Sequence, residues 1–489
     1  MTGDSDRSPW RHLVESRAAP LALFAVFAAL IVLTIGRFST WLDESASLLL
    51  AANDYTEIVH RSVLDVHPPL WYLVLKLWVQ VFAPTILASR AESAVFMFAA
   101  LVVWYHFVRT RFSRPLALLT LALTATNPML LHYAVEGRMY ALGVLLVALT
   151  SVFVTSTARW RWFAYWPCAV AMLYVHYFLA FPLAAQFVYL LMTRREQARS
   201  VAWIVAYGAS IIAAFGVWIP VAFGQTATTV VMRFWIGRIA PSSLLTYVLH
   251  AFLHRSDGDL QNALTFPAVA YLAIWCASLI RAGRARNGPY ALLWGLVALP
   301  CVCLFLLSCK PLVPIFHPRY VIFGLPALIT LLAAGALGFT ARWRPVVIAG
   351  LLLGHLAGLQ MLYWRGFADV RGRFSMKEIA ERVAKPIDGE RPWIVATWVF
   401  GFSDARATID AGQRVTILVP TAPSFVGDDM TYYGHPDWYI TSWSDVRARH
   451  VWVIEDIAAP PVAVPSGWKL ELTYNAGYAR TRLFTANAP

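Results

Sequence analysis

Asp43 and Glu44 stand side by side in the stretch TWLDESASLLL, soon after a run from Ala19 to Gly36 that carries no charge. Adjacent acids so close to an apolar run have two readings. In one, they form the first turn of a helix emerging into water, where carboxylates gain about 0.3–1 kcal/mol from the helix dipole. In the other, one of them is a general base at the membrane surface, its pKa set by partial burial, while its neighbour holds a cation or a partner base.

Four more stretches carry residue types capable of chemistry. In DVHPPLWY, Asp65 to Tyr72, a Pro-Pro pair imposes an extended entry into the next helix and would hold His67 rigidly. A plain helix-start turn explains the same residues, and a His near acids also suits a divalent metal. HYAVEGRMYAL places Glu136 and Arg138 at a tight turn, either as a local ion pair or with the arginine fork free to hold phosphate. LYVHYF carries His176 and Tyr177, which taken alone read as interfacial belt residues. KPLVPIFHPRYV gathers Lys310, His317 and Arg319 among three prolines. So many donors make a seat for a phosphate or diphosphate, with snorkelling to lipid headgroups as the alternative. A carboxylate base together with several cations suits a phosphate leaving group, because negative charge grows on that phosphate as its bond breaks. There is no Walker A loop and no Rossmann glycine fingerprint, so nucleotide chemistry inside the cell is not supported.

The elements that must position these residues are membrane helices. The chain has 489 residues, of which 59% are hydrophobic and 14% charged, against about 25% charged in a soluble domain. Its mean hydropathy is +0.58, and apolar runs of about 20 residues, enough to cross about 30 Å of hydrocarbon, recur along it. The net charge of +13 does not point to nucleic acid, because the arginines sit in short clusters between apolar runs, as in cytoplasmic loops. The five cysteines form no CxxC pair, which indicates neither a disulfide scaffold nor a zinc site. With no A-x-A cleavage site after the basic start, residues 1–18 read as a cytoplasmic segment before a retained first helix.

Clusters at Arg7–Arg17, Arg109–Arg114, Arg159–Arg161, Arg194–Arg199, Arg281–Arg286 and Arg342–Arg344 each leave room for two spans before the next. Spans are expected near 19–36, 91–108, 115–132, 139–158, 162–176, 178–193, 201–221, 264–281, 289–308, 320–340 and 345–363. That makes about eleven, with the N-terminus inside and the C-terminus outside. PPLWYLVLKLWVQVFA, Pro68 to Ala83, is then an interfacial amphipathic helix within a first outer loop of 37–90. A second outer loop spans 222–262, and every unusual polar residue named above falls on the outer side.

From about 365 the character changes. SMKEIAERVAK reads as a short amphipathic helix. PWIVATWVF, QRVTILVP and RHVWVIED read as buried strands, and WKLELTYNAGYARTRLFTA as a closing hairpin turning at Asn475-Ala476-Gly477. Residues 365–489 are expected to form a small extracytoplasmic α/β domain.

Acids after the first span, HPPL followed by aromatics, EGRMYAL, HYF and a late RYVIFGLPAL stand in an order that resembles the GT-C superfamily of polyprenyl-phosphate-sugar-dependent membrane glycosyltransferases. The group is similar to the protein O-mannosyltransferases and the lipid A aminoarabinose transferases. The resemblance covers roughly residues 19–340; the tail matches no family motif. It implies an integral-membrane inverting transferase moving mannose or another hexose or pentose from a polyprenyl-phosphate donor to a cell-envelope glycan, glycolipid or protein acceptor. Asp43 stands where the family's catalytic base stands, and Glu44 matches the second acid of its frequent Asp-Glu pair. Arg138 and Arg319 lie in the matching phosphate motifs, with Lys310 and His67 beside them. Glu136, Tyr140, His176, Tyr177 and Tyr320 would line the substrate pocket. Metal use varies across the family, and no ligand set is apparent, so a divalent metal is left open. The competing class, a transporter or flippase of a lipid-linked sugar, would require charged or broken segments at mid-bilayer in paired halves of the chain.

Overall fold

The computed structural model describes residues 16–194, 198–231, 239–254, 266–286, 288–309, 315–365, 376–397, 405–406, 414–418, 439–440, 442–457, 459–476 and 479–487. The chain divides into two compact units. One comprises Met1–Ile35, Val66–Trp71 and Ser93–Gly366; the other comprises Gly36–Asp65, Tyr72–Glu92 and Phe367–Pro489.

The first unit is helical. Helices occupy each stretch expected to span, from Ala18–Thr34 to Arg344–Arg365. Among the described residues five are long and apolar enough to cross a membrane: Ile86–Arg111, Arg199–Gln225, Pro289–Ser308, Pro318–Leu337 and Arg344–Trp364. A sixth is counted if the bent pair Arg114–Ala125 and Pro128–Ala134 is one span. The pair meets at 63° for a local reason. Pro128 has no N–H to continue the first helix, and Asn127 caps the second by accepting from the Leu130 N–H at 3.0 Å. The Asn127 amide also donates to the Ala251 carbonyl at 3.0 Å, tying the break to helix Ser242–Leu253. That helix lies inside the expected 222–262 loop, which also holds the end of Ile219–Val231. Glycines at two positions allow a neighbouring backbone to approach closely. A Cβ on Gly335 would lie 1.8 Å from the Ser278 carbonyl oxygen, and one on Gly324 would lie 2.4 Å from that of Leu296.

The second unit begins with helices Leu42–Ala51 and Tyr55–Ser62. The amphipathic helix runs Leu70–Phe82, two residues into the expected stretch, because the prolines at 68 and 69 precede its first turn. The C-terminal part is a mixed sheet of β1 (Trp393–Ala396), β2 (Val415–Leu418), β3 (Tyr439–Ile440), β4 (His450–Asp456), β5 (Trp468–Ala476) and β6 (Ala479–Ala486). Its order is β3-β2-β1-β4-β6-β5. The first four are parallel, and β4, β6 and β5 are antiparallel neighbours. β1, β2 and β4 are buried on both faces, which is why their sequences are nearly unbroken apolar runs. Helix Met376–Val383 packs Ile379 and Val383 against Ile394, Ile417 and Ile454 on one face; Val395, Val451, Val453 and Phe484 fill the other. β3, only two residues long, had no sequence signal. Gly477 of the expected turn lies outside the described residues.

Candidate functional site

Two short 3-10 turns of the first unit begin with the same device. His176 ends helix Arg161–Val175, and its Nδ1 accepts the Phe178 N–H at 3.1 Å, capping the turn Tyr177–Leu179. His317 Nδ1 accepts the Arg319 N–H at 3.3 Å at the head of the turn Pro318–Gly324. In each case the ring acts as the polar cap that Ser or Asp usually supplies. For His176 this bond places the ring proton on Nε2. The EGRMY turn is tightened by the Arg138 N–H donating to the Glu136 carbonyl at 2.7 Å, and Ser93 donates its hydroxyl to the Arg138 carbonyl at 3.2 Å.

These turns bring together residues far apart in the chain. The His67 and His176 rings lie 5.1 Å apart between centroids, and His176 lies 6.0 Å from Tyr140 and 5.6 Å from Tyr320. The Arg319 guanidinium lies 5.0 Å from the centroid of the Tyr320 ring and donates to its hydroxyl at 3.0 Å. Arg138 lies 5.7 Å from the Trp71 ring centroid. All these side chains are buried; His176 is 2% exposed and Tyr140 0%. Burial, then the charges of Arg138 and Arg319, holds His67 well below its usual pKa. Burial, then Arg319 and Arg138, brings His176 down to about 3. Both imidazoles are therefore neutral at pH 7, and the pocket's positive charge belongs to the two arginines. His176 Nε2 and the Tyr140 hydroxyl are buried and have no hydrogen-bond partner among the described residues. Two guanidiniums and neutral donors gathered in a buried cluster suit a tetrahedral anion such as phosphate.

The rings continue beyond this pocket. Tyr140 meets Tyr133 at 4.8 Å, His132 follows at 4.6 Å, and His254 lies 5.5 Å further on. Glu136 joins that branch, with His132 Nε2 donating to its Oε2 at 3.0 Å. Tyr177 turns elsewhere, donating to Gln225 and accepting from Trp218 Nε1 at 2.9 Å. Lys310 lies outside the described residues. Among the described residues no group of three or more His, Cys, Asp or Glu is arranged to hold a metal ion.

In the second unit, Asp43 and Glu44 occupy the first turn of helix Leu42–Ala51, as expected for acids at a helix start. Their environments differ. Glu44 is fully buried and accepts from Arg90 Nε at 2.8 Å and Nη2 at 2.7 Å. Arg90 also donates to the Phe38 and Ser39 carbonyls at 2.8 and 3.0 Å, so it fastens the approach to the helix as well. Asp43 is half-buried, and its carbonyl accepts the Ser47 hydroxyl at 2.5 Å. Arg90, Trp71 and His132 were absent from the sequence-derived site. Only Arg90 left a signal, a charge early in the long apolar helix Ile86–Arg111, in ASRAESA.

By its fold the chain is an α-helical multi-pass membrane protein with a small C-terminal α/β domain. The structure of ArnT from Cupriavidus metallidurans bound to undecaprenyl phosphate is similar, with a TM-score of 0.61 at 13% identity over 96% of this chain and 98% of that one. The same ArnT in the apo state gives a TM-score of 0.57 at 13% identity over the same shares. At this identity the likeness is one of fold. No family model matches the chain, and no curated protein matches it in sequence.

Proposed function

We propose that the chain is an inverting glycosyltransferase that moves a sugar from a polyprenyl-phosphate donor to a cell-envelope glycan, glycolipid or protein acceptor on the outer face of the plasma membrane. The observation that carries this reading is the pairing of Arg138 and Arg319 with two neutral imidazoles in a buried pocket. The fold around it is similar to one solved with undecaprenyl phosphate. Asp43, half-buried in the first turn of helix Leu42–Ala51, takes the acceptor hydroxyl proton. The acceptor oxygen bonds to the anomeric carbon as the anomeric C–O bond to phosphate breaks. The electron pair leaves with polyprenyl phosphate, and Arg138 and Arg319 offset the added charge while His67, His176, Tyr140 and Tyr320 orient it. Lys310 is a further cation for the same phosphate. Glu44 anchors the helix that carries the base. Residues 19–364 would form the transferase part, and residues 365–489 would recognise the acceptor.

The test is incubation of the purified chain with a panel of polyprenyl-phosphate sugars and envelope lipid extract, followed by mass analysis. A product heavier than an acceptor by one sugar is expected. Movement of a lipid-linked sugar across a liposome bilayer with no covalent product would replace this reading by transport.

A further inference from the structure

We propose that β5 is the edge through which two copies of this chain pair, antiparallel about a two-fold axis at Leu470. Among the described residues β5 ends the sheet, and it runs nine residues, from Trp468 to Ala476. The opposite edge, β3, has two. A long edge strand presents a row of backbone donors and acceptors that invites another strand, so proteins protect such edges with charges, bulges or short length. β5 has charges and a bulge, yet it also exposes Leu470 (48%) and Leu472 (41%).

The charges are arranged for self-recognition. Lys469 and Glu471 flank Leu470, and their side chains lie 3.2 Å apart, 70% and 37% exposed, with the bulge against β6 falling at Glu471. In an antiparallel pair centred on Leu470, Lys469 of each copy stands opposite Glu471 of the other. The two leucines then meet on the axis. Directly opposed unlike charges stabilise a strand pair, and like charges destabilise it. An arbitrary strand would set one of these charges against an apolar or like-charged residue, so the features that guard the edge against other partners admit a second copy. The same strand centred on Glu471 would oppose two carboxylates, which disfavours the neighbouring register. Both copies are held in one bilayer, and this confinement raises their effective concentration, so a contact of a few residue pairs is sufficient.

The full chain in liposomes, labelled in two colours, reports the association. Wild type is expected to form dimers. Lys469→Glu opposes like charges at both symmetric positions and should weaken dimerisation roughly tenfold, with Glu471→Lys doing the same. The double exchange K469E/E471K should restore it, an outcome that simple unfolding of a variant cannot produce. Leu470→Cys should yield a disulfide-linked dimer on oxidation, since opposed strand residues lie about 4.5–5.5 Å apart, within disulfide reach. The parent with its own five cysteines should not. A monomer throughout, equal association of all the charge variants, or association only with unrelated extended peptides overturns the proposal.

Discussion

Arg90 grips both carboxylate oxygens of Glu44 through its Nε and Nη2, at 2.8 and 2.7 Å, with neither side chain more than 3% exposed. Of two acids that look equivalent in the sequence, Glu44 is thereby committed to a buried ion pair. Breaking a buried pair by removing one partner leaves an uncompensated charge and costs about 3–5 kcal/mol. Arg90→Ala should therefore lower the unfolding midpoint of the detergent-solubilised protein sharply. Arg90→Lys, which cannot supply the planar fork, should recover only part of that loss. A thermal scan in which Arg90→Ala melts with wild type would show that the pair contributes nothing net.

Asp43→Asn should abolish sugar transfer while leaving the melting temperature and donor binding unchanged, because the substitution preserves shape and removes only the proton acceptor. Turnover by this variant at the wild-type rate would exclude Asp43 as the base.

Arg138→Ala and Arg319→Ala should each weaken donor binding by about 10- to 100-fold, the worth of a charge-assisted hydrogen bond of roughly 1.5–3 kcal/mol. Competition by sugar-free polyprenyl phosphate reads this directly. If both variants compete as well as wild type, the phosphate is held elsewhere.

The neutral histidines make a statement about pH. The folded pKa of His176 is about 3, below its unfolded value, so between the two values the unfolded chain binds a proton that the folded chain does not. Stability from this group is thus fully present above about pH 6.5 and falls as pH drops toward 3. His67, shifted in the same direction, adds to the effect. The melting temperature of wild type should fall on acidification more steeply than that of His176→Gln. Affinity for the phosphodiester donor should not rise between pH 7 and 5, as it would if imidazolium formed.

Gly324 and Gly335 have backbone carbonyls where a side chain would go, at 2.4 and 1.8 Å. A backbone does not yield as a side chain does, and overpacking costs about 1–3 kcal/mol. Gly335→Ala should destabilise the protein without changing donor affinity. Gly324→Ala, at the end of the turn that carries Arg319, should do both. Gly350→Ala, which meets only the tip of the Ile274 side chain, is the mild control.

Much of the architecture could be read directly. Uncharged runs must become helices in lipid, because each backbone group then finds its partner within its own segment. Strands buried on both faces must be apolar throughout, so β1, β2 and β4 were visible. Arg138 and Arg319 stood out in the sequence because charge beside a membrane segment is costly and therefore conspicuous. Side-chain pairing was not legible. Nothing in the order of residues says that Glu44 is taken by Arg90, 46 positions later. Nor does it say that His176 meets His67 while Tyr177, next to it, turns to Gln225. Hydrophobic periodicity depends on neighbours along the chain, so the sequence by itself determined the helices, the sheet strands and the types of residue available for chemistry. Which charges neutralise one another depends on contacts between residues distant in sequence, and only the tertiary structure decided it.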